Sequence, residues 1–214
     1  MKLAPVLFLS LSLCAGCAAH EQALGLERDA KALRGQLARV YVDRGAYSAA
    51  VPLVQAELRE NPDDVEMLTL SGVVLRESGL YPQAQEQLEK VVARAPRHAP
   101  AHAALAMLYD LQKRFDAGEV EHRKALALVP DDAGEWNNLG FSLYVQGRDA
   151  EAIAALEKAL ALSPGLLVAY NNLGFAYARH HELAAARRCF LTVGGERTAK
   201  VNLELASTFT RSLE

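Results

Sequence analysis

From position 31 onward, apolar residues recur at helical spacing in short blocks, two blocks to a unit, with a breaker between the blocks of each pair. In one such unit Leu139, Gly140 and Leu143 share a face of the first block, and Ala152, Leu156 and Ala159 share a face of the second. The units keep strict time. Pro62, Pro96, Pro130 and Pro164 stand 34 residues apart, and Ala50, Ala84, Ala152 and Ala186 mark the same period, with Gly118 in the remaining slot. A fixed period of this length predicts an array of helix pairs stacked on their neighbours, with units at 31–64, 65–98, 99–132, 133–166 and 167–196.

Local signals agree with the period. Each proline follows a second helix that its ring cannot extend. Gly45, Gly79 and Gly147 fall just past a first helix, where a left-handed residue closes the turn without steric cost. Asp64 and Asp132 fall where the next helix needs a side-chain oxygen for its free amides. Gly72, Ala106, Gly140 and Gly174 are small enough to let two helices approach closely. After Phe190 the pattern fails at Gly194 and Gly195, and the segment 197–214 reads as a final amphipathic helix that caps the stack. Its apolar residues are Val201, Leu203, Leu205, Ala206, Phe209 and Leu213.

The fourth unit, with Trp136, Leu139, Gly140, Ala152, Leu156, Ala159 and Pro164 at their characteristic offsets, resembles a tetratricopeptide repeat (TPR). The resemblance implies an all-α fold: a right-handed α-solenoid of about five helix-turn-helix repeats with a C-terminal capping helix.

The first residues follow another rule. Met1 and Lys2 precede an apolar stretch from Leu3 to Leu13, too short to span a bilayer, and then Cys14, Ala15, Gly16 and Cys17. This resembles a bacterial lipoprotein signal over 1–16, which implies an acylated Cys17 at the head of a short tether, 17–30. Cys14 stands where that family usually has leucine. The other reading is an ordinary secretory signal cut near Ala18 or Ala19. Ala18 in place of aspartate after the lipid site implies sorting to the outer membrane, with the array close to the membrane on its periplasmic face.

Charge narrows the partners. The chain has 23 basic and 26 acidic residues; without Lys2 the balance is 22 to 26, a net charge of minus four, which disfavours nucleic acid. Cys189 is the remaining thiol and reads as a small helical residue, not a redox centre. No phosphate loop, nucleophile elbow or metalloprotease helix is present, so the chain reads as a non-enzyme with no cofactor and no small-molecule substrate. His98 and His102 are four apart, but Pro100 between them is expected to break the helix that a metal pair would need, and no metal site is assigned. His180 and His181 fall in a turn. His122 takes the slot of Leu88, Leu156 and Phe190, His102 that of Trp136, and Gly118 that of alanine. Two expectations stay open for this third unit: a soft joint that acid softens further, or a satisfied core histidine.

In such arrays the first helices line the concave face. One position on that face reads Arg39, Val73, Met107, Phe141 and Phe175, an apolar stripe from the second unit on, flanked by Tyr144. Leu205 continues it in the final helix. Beside it stand Asn138, Asn172 and Asn202, at a position where TPR proteins use asparagine to bond a ligand backbone. Amides beside apolar pockets suit a peptide; alternatively Phe141 and Phe175 only cover neighbouring helices. The segments Tyr170–Phe190 and Val193–Ala206 resemble the TadD proteins of tight-adherence (Flp) pilus systems, and PilF-type pilus lipoproteins share the anchor and repeats. That implies a scaffold for pilus or secretion components; the alternative is an adaptor for peptidoglycan hydrolases or synthases.

Overall fold

The structure, a computed structural model, describes residues 33–211 and their side chains through 208. The signal over 1–16, Cys17 and the segment 17–30 lie outside the described residues. Among the described residues all regular structure is helical. One unit, ending at Leu80, holds α1 (33–43), α2 (Tyr47–Glu60) and α3 (Val65–Glu77). The other, from Tyr81, holds α4 (Tyr81–Arg94), α5 (Ala99–Leu111), α6 (Phe115–Leu128), α7 (Ala133–Val145), α8 (Asp149–Leu162), α9 (Leu167–Arg179) and α10 (Leu183–Arg211).

In the first unit α2 packs on α3, and Ala38, Val54, Met67 and Leu70 form the core. In the second, α5 packs on α6, α7 on α8 and α9 on α10, and each pair packs on the next through α6 with α7 and α8 with α9. The first helices also touch one another, α5 with α7 and α7 with α9. This is the successive helix-turn-helix stacking of an α-solenoid. Close approach depends on small residues facing large ones. A Cβ on Gly140 would lie 2.6 Å from Cγ of Leu156, and one on Gly174 would lie 2.4 Å from Cε1 of Phe190.

Each turn from a first to a second helix uses the same geometry. Gly45, Gly79 and Gly147 have φ of 69°, 75° and 81°. The equivalent slots hold Lys113 and His181, with φ of 59° and 65°, so the conformation is kept even where the residue resists it. The same two backbone bonds close it: Lys113 N donates to Asp110 O and Arg114 N to Tyr109 O, as Gly147 N does to Tyr144 O and Arg148 N to Leu143 O. His180 and His181 are exposed in this turn, as their position suggested.

Asp64 and Asp132 cap their helices, accepting from Met67 N at 3.1 Å and Glu135 N at 2.9 Å. Their counterparts His98 and Leu166 provide no side-chain cap. The expectation about Pro100 is corrected. His98 is the N-cap of α5 and Pro100 its second residue, where the missing N–H has no intrahelical partner to lose, so the proline starts the helix that it was expected to break.

Gly194 (φ −166°, ψ 25°) and Gly195 (φ 73°, ψ −165°) interrupt α10. Beyond them Ala199 and Ala206 turn inward on Ala178 and Phe190, with Leu203 partly buried, while Val201 and Leu205 remain exposed. The C-terminal arm therefore covers the last pair with small residues.

The turn slots make a prediction. Gly147→Ala should lose about 1 kcal/mol in urea denaturation, whereas Lys113→Gly should be neutral or gain up to about 1 kcal/mol. Equal losses from both substitutions would show that φ is not what these positions select.

Candidate functional site: the first-helix face

The residues expected to form a groove meet different fates. Phe141 is 49% exposed on α7. Met107 is half-buried on α5, and its sulfur lies 3.9 Å from Nδ2 of Asn138. Phe175 is half-buried and meets Phe190 edge to face, with ring centroids 5.0 Å apart, so it belongs largely to the C-terminal core. Tyr144 lies beneath the Arg179 guanidinium, 3.8 Å from its ring centroid, and Arg179 is held there by Asp149 through Nε at 2.7 Å and by the Tyr144 carbonyl. Val73 is half-buried on α3 in the first unit. Arg39, the polar start of the stripe, is ion-paired with Glu66.

The asparagines form a ladder. Asn172 donates to Oδ1 of Asn137 at 2.9 Å, and Asn202 donates to Oδ1 of Asn171 at 3.1 Å. Asn202 thus takes the place of a sixth-repeat asparagine. Asn138 instead donates to Oε2 of Glu135 at 3.2 Å. No described residue donates to Oδ1 of Asn138, Asn172 or Asn202, so each keeps an acceptor for a ligand N–H.

Behind this face the third pair carries a buried polar network. His122 is fully buried and presents Nδ1 to Oε1 of Glu135 at 2.6 Å and Nε2 to Oδ2 of Asp110 at 3.0 Å. The second Asp110 oxygen accepts from Ser142 Oγ at 2.9 Å. Gly118 is explained by the same carboxylate, because a Cβ there would lie 2.4 Å from Oδ1 of Asp110. Next to this, His102 sets Nδ1 2.5 Å from Oε2 of Glu121, whose Oε1 accepts from Lys124, and Nε2 3.0 Å from the Pro96 carbonyl. Trp136 Nε1 donates to the Pro130 carbonyl at 2.9 Å, one period later, so the imidazole reproduces the indole's bond. Both ring nitrogens of His102 are occupied, which removes it from any metal pair with His98.

Burial opposes charge on His122, but its bonds to Asp110 and Glu135 and their negative charge prevail and push its pKa up to about 9. Of the two expectations for this residue, the satisfied core histidine is the one the geometry supports, and the expected effect of acid on it is reversed. Cys189 is buried and unpaired, and burial pushes its thiol up, away from reactivity.

Models described as tetratricopeptide repeat match this chain over residues 36–82, 75–140 and 133–166, so their matches run unbroken from 36 to 166. The chain is a tetratricopeptide repeat protein. Among solved TPR structures it is similar to a thermophilic TPR protein of Thermus thermophilus, with a TM-score of 0.71 and 22% identity over 83% of this chain and 99% of that one. MamA is also similar, with a TM-score of 0.59 and 24% identity over 80% of this chain and 96% of that one. At these identities the likeness is one of fold. By sequence it is 36% identical over 85 residues to the type IV pilus assembly protein PilF of Pseudomonas aeruginosa, covering 40% of this chain and 34% of PilF. It is 23% identical over 121 residues to the BBSome complex member BBS4 of Bos taurus, covering 56% of this chain and 23% of that protein. The chain spans about a quarter to a third of the length of the curated relatives it matches.

Sequence reasoning missed Asn137 and Asn171, although the doublets Asn137-Asn138 and Asn171-Asn172, one TPR period apart, were the available signal. It also missed Asp110, Glu135 and Ser142, because no other repeat carries the same residue at the matching position.

Two predictions follow from this face and its support. Phe141→Ala should leave thermal stability within about 0.5 kcal/mol of the parent, while Phe175→Ala should cost about 2 kcal/mol through lost burial and the ring pair; equal costs would place both rings in the core. The folded His122 pKa lies above the ordinary 6.5, so its contribution is complete below about pH 6.5 and disappears as pH rises through about 9. Relative to His122→Gln, the parent should therefore lose up to about 3 kcal/mol of unfolding free energy over that interval. Parallel stability curves would refute this.

Proposed function

We propose that this TPR protein is a non-catalytic scaffold that binds an extended peptide segment of a partner, held near the outer membrane by a lipid on Cys17 and facing the periplasm. The exposed Phe141 ring beside the amide ladder carries the reading. A peptide offers backbone N–H groups to the open Oδ1 atoms and an apolar side chain to the ring, whereas the chain's net charge of −3 makes it a poor receptor for polyanions. Among the described residues no helix is long and apolar enough to cross a membrane. Support for a lipid anchor is the lipoprotein-like sequence at Cys14, Ala15, Gly16 and Cys17. The partner is a pilus or secretion-system component, as for a TadD- or PilF-like protein. Support for that choice is the partial likeness to a pilus assembly protein, which covers 40% of the chain.

A photo-crosslinking amino acid at position 141, in cells that export the full chain, tests this. Crosslinks to secretin or pilin-export proteins are the expected result, and crosslinks to peptidoglycan hydrolases or synthases would shift the function to the cell wall. Cys17→Ser should release the protein from the membrane fraction; unchanged fractionation would remove the lipid anchor from the proposal.

A further inference from the structure

The network behind the face reaches through it. His122 sits fully buried on α6, and the charged groups that face it from the helices packed against it are Asp110 on α5 and Glu135 on α7. Other titratable groups near this interface bond to one another, His102 on α5 to Glu121 on α6, Glu121 to Lys124, and Glu119 on α6 to Arg123 and Arg148. A carboxylate only accepts hydrogen bonds, and a neutral imidazole has one donor. Two carboxylate oxygens, at 2.6 and 3.0 Å from the two ring nitrogens, are therefore served together only by the doubly protonated ring. The second oxygen of Glu135, Oε2, accepts from the Asn138 side-chain amide, and Glu135 is 4% exposed. One carboxylate thus joins the interior of the third repeat to the face of the fourth.

We propose that His122 is a positioning residue for this face: as an imidazolium it fixes Glu135, and Glu135 in turn fixes the amide of Asn138 in the orientation that leaves its Oδ1 open to a ligand. Loss of the proton leaves a lone pair against a carboxylate oxygen. The coupling requires that the proton leave Nδ1, not the Nε2 that faces Asp110: Glu135 then turns away from the ring, and Asn138 loses its acceptor. Asn172 provides an internal control, since its amide donates to Asn137 and not to Glu135. The consequence for partner binding rests on the peptide-groove reading above, but the coupling itself is measured on the free protein and stands or falls apart from that reading.

The test is an NMR titration of the full chain from about pH 6 to 10, following the His122 ring with the 15Nδ2 and 13Cγ resonances of Asn138 and Asn172. The expected result is a His122 midpoint near 9, an inflection of Asn138 at the same midpoint, and no such inflection at Asn172. A midpoint at or below the ordinary value of about 6.5, or an Asn138 signal that stays flat while His122 titrates, overturns the proposal. Glu135→Gln keeps the shape and removes the charge. It should lower the His122 midpoint by about one unit or more and displace the Asn138 signals already at neutral pH; an unchanged midpoint and unchanged Asn138 signals would equally overturn it.

Discussion

Helix pairs in this protein exist because one position in each is too small to hold its partner away. Gly140 admits Leu156, and Gly174 admits Phe190. With the gap closed, a leucine or phenylalanine is fully buried, Ala152 and Ala186 are sealed beneath it, and each pair gains an apolar flank for the next. A short amphipathic helix is marginal alone; here its stability comes from two neighbours placed by the same rule. That rule sets the register of the first helices and so the spacing of whatever they display.

The third pair satisfies the same rule with different chemistry. Ala106 is still small, yet the large side chain opposite is His122, and a second intrusion, by Asp110, is made possible by Gly118. Charges taken from water are costly unless every lone pair and proton is met. Here Asp110 accepts from His122 and Ser142, and Glu135 from His122 and Asn138, so the set closes on itself. Removing one member strands the others, and the cluster ties α5, α6 and α7 in a way that an apolar contact, which tolerates sliding, does not. A glycine in place of alanine, read alone, suggests weakness. Beside Asp110 it is the space that the cluster requires.

The sequence carried the solenoid almost whole, because its signals are local and repeated: prolines after second helices, glycines at left-handed turns, aspartates at caps. It was silent where the outcome depends on which side chain arrives from another helix. Phe141 and Phe175 share one register position, but Phe175 lies in a pair whose opposing slot holds Phe190, and it joins the core; the pair of Phe141 holds Leu156, and its ring stays exposed. Tyr144 was legible as a face residue, but Arg179, one repeat later, decides what covers it. His102 was legible only as a departure from Trp136, although the Pro96 carbonyl awaited it at the same offset as that of Pro130. The reading of Pro100 failed because a proline breaks or begins a helix according to which turn it occupies, and α5 starts at Ala99, three residues after Pro96, as α7 starts three after Pro130.

The asparagine ladder has a consequence for recognition. Asn137 and Asn172 are 35 residues apart, and Asn171 and Asn202 are 31 apart, so the final arm reaches its rung four residues early, close to one helical turn. The amides of α7, α9 and the last arm are bonded to one another across the Gly194–Gly195 break, and these bonds hold them before any visitor arrives. A bound chain would forfeit only its own freedom, which lets a modest apolar foothold hold an otherwise disordered strand.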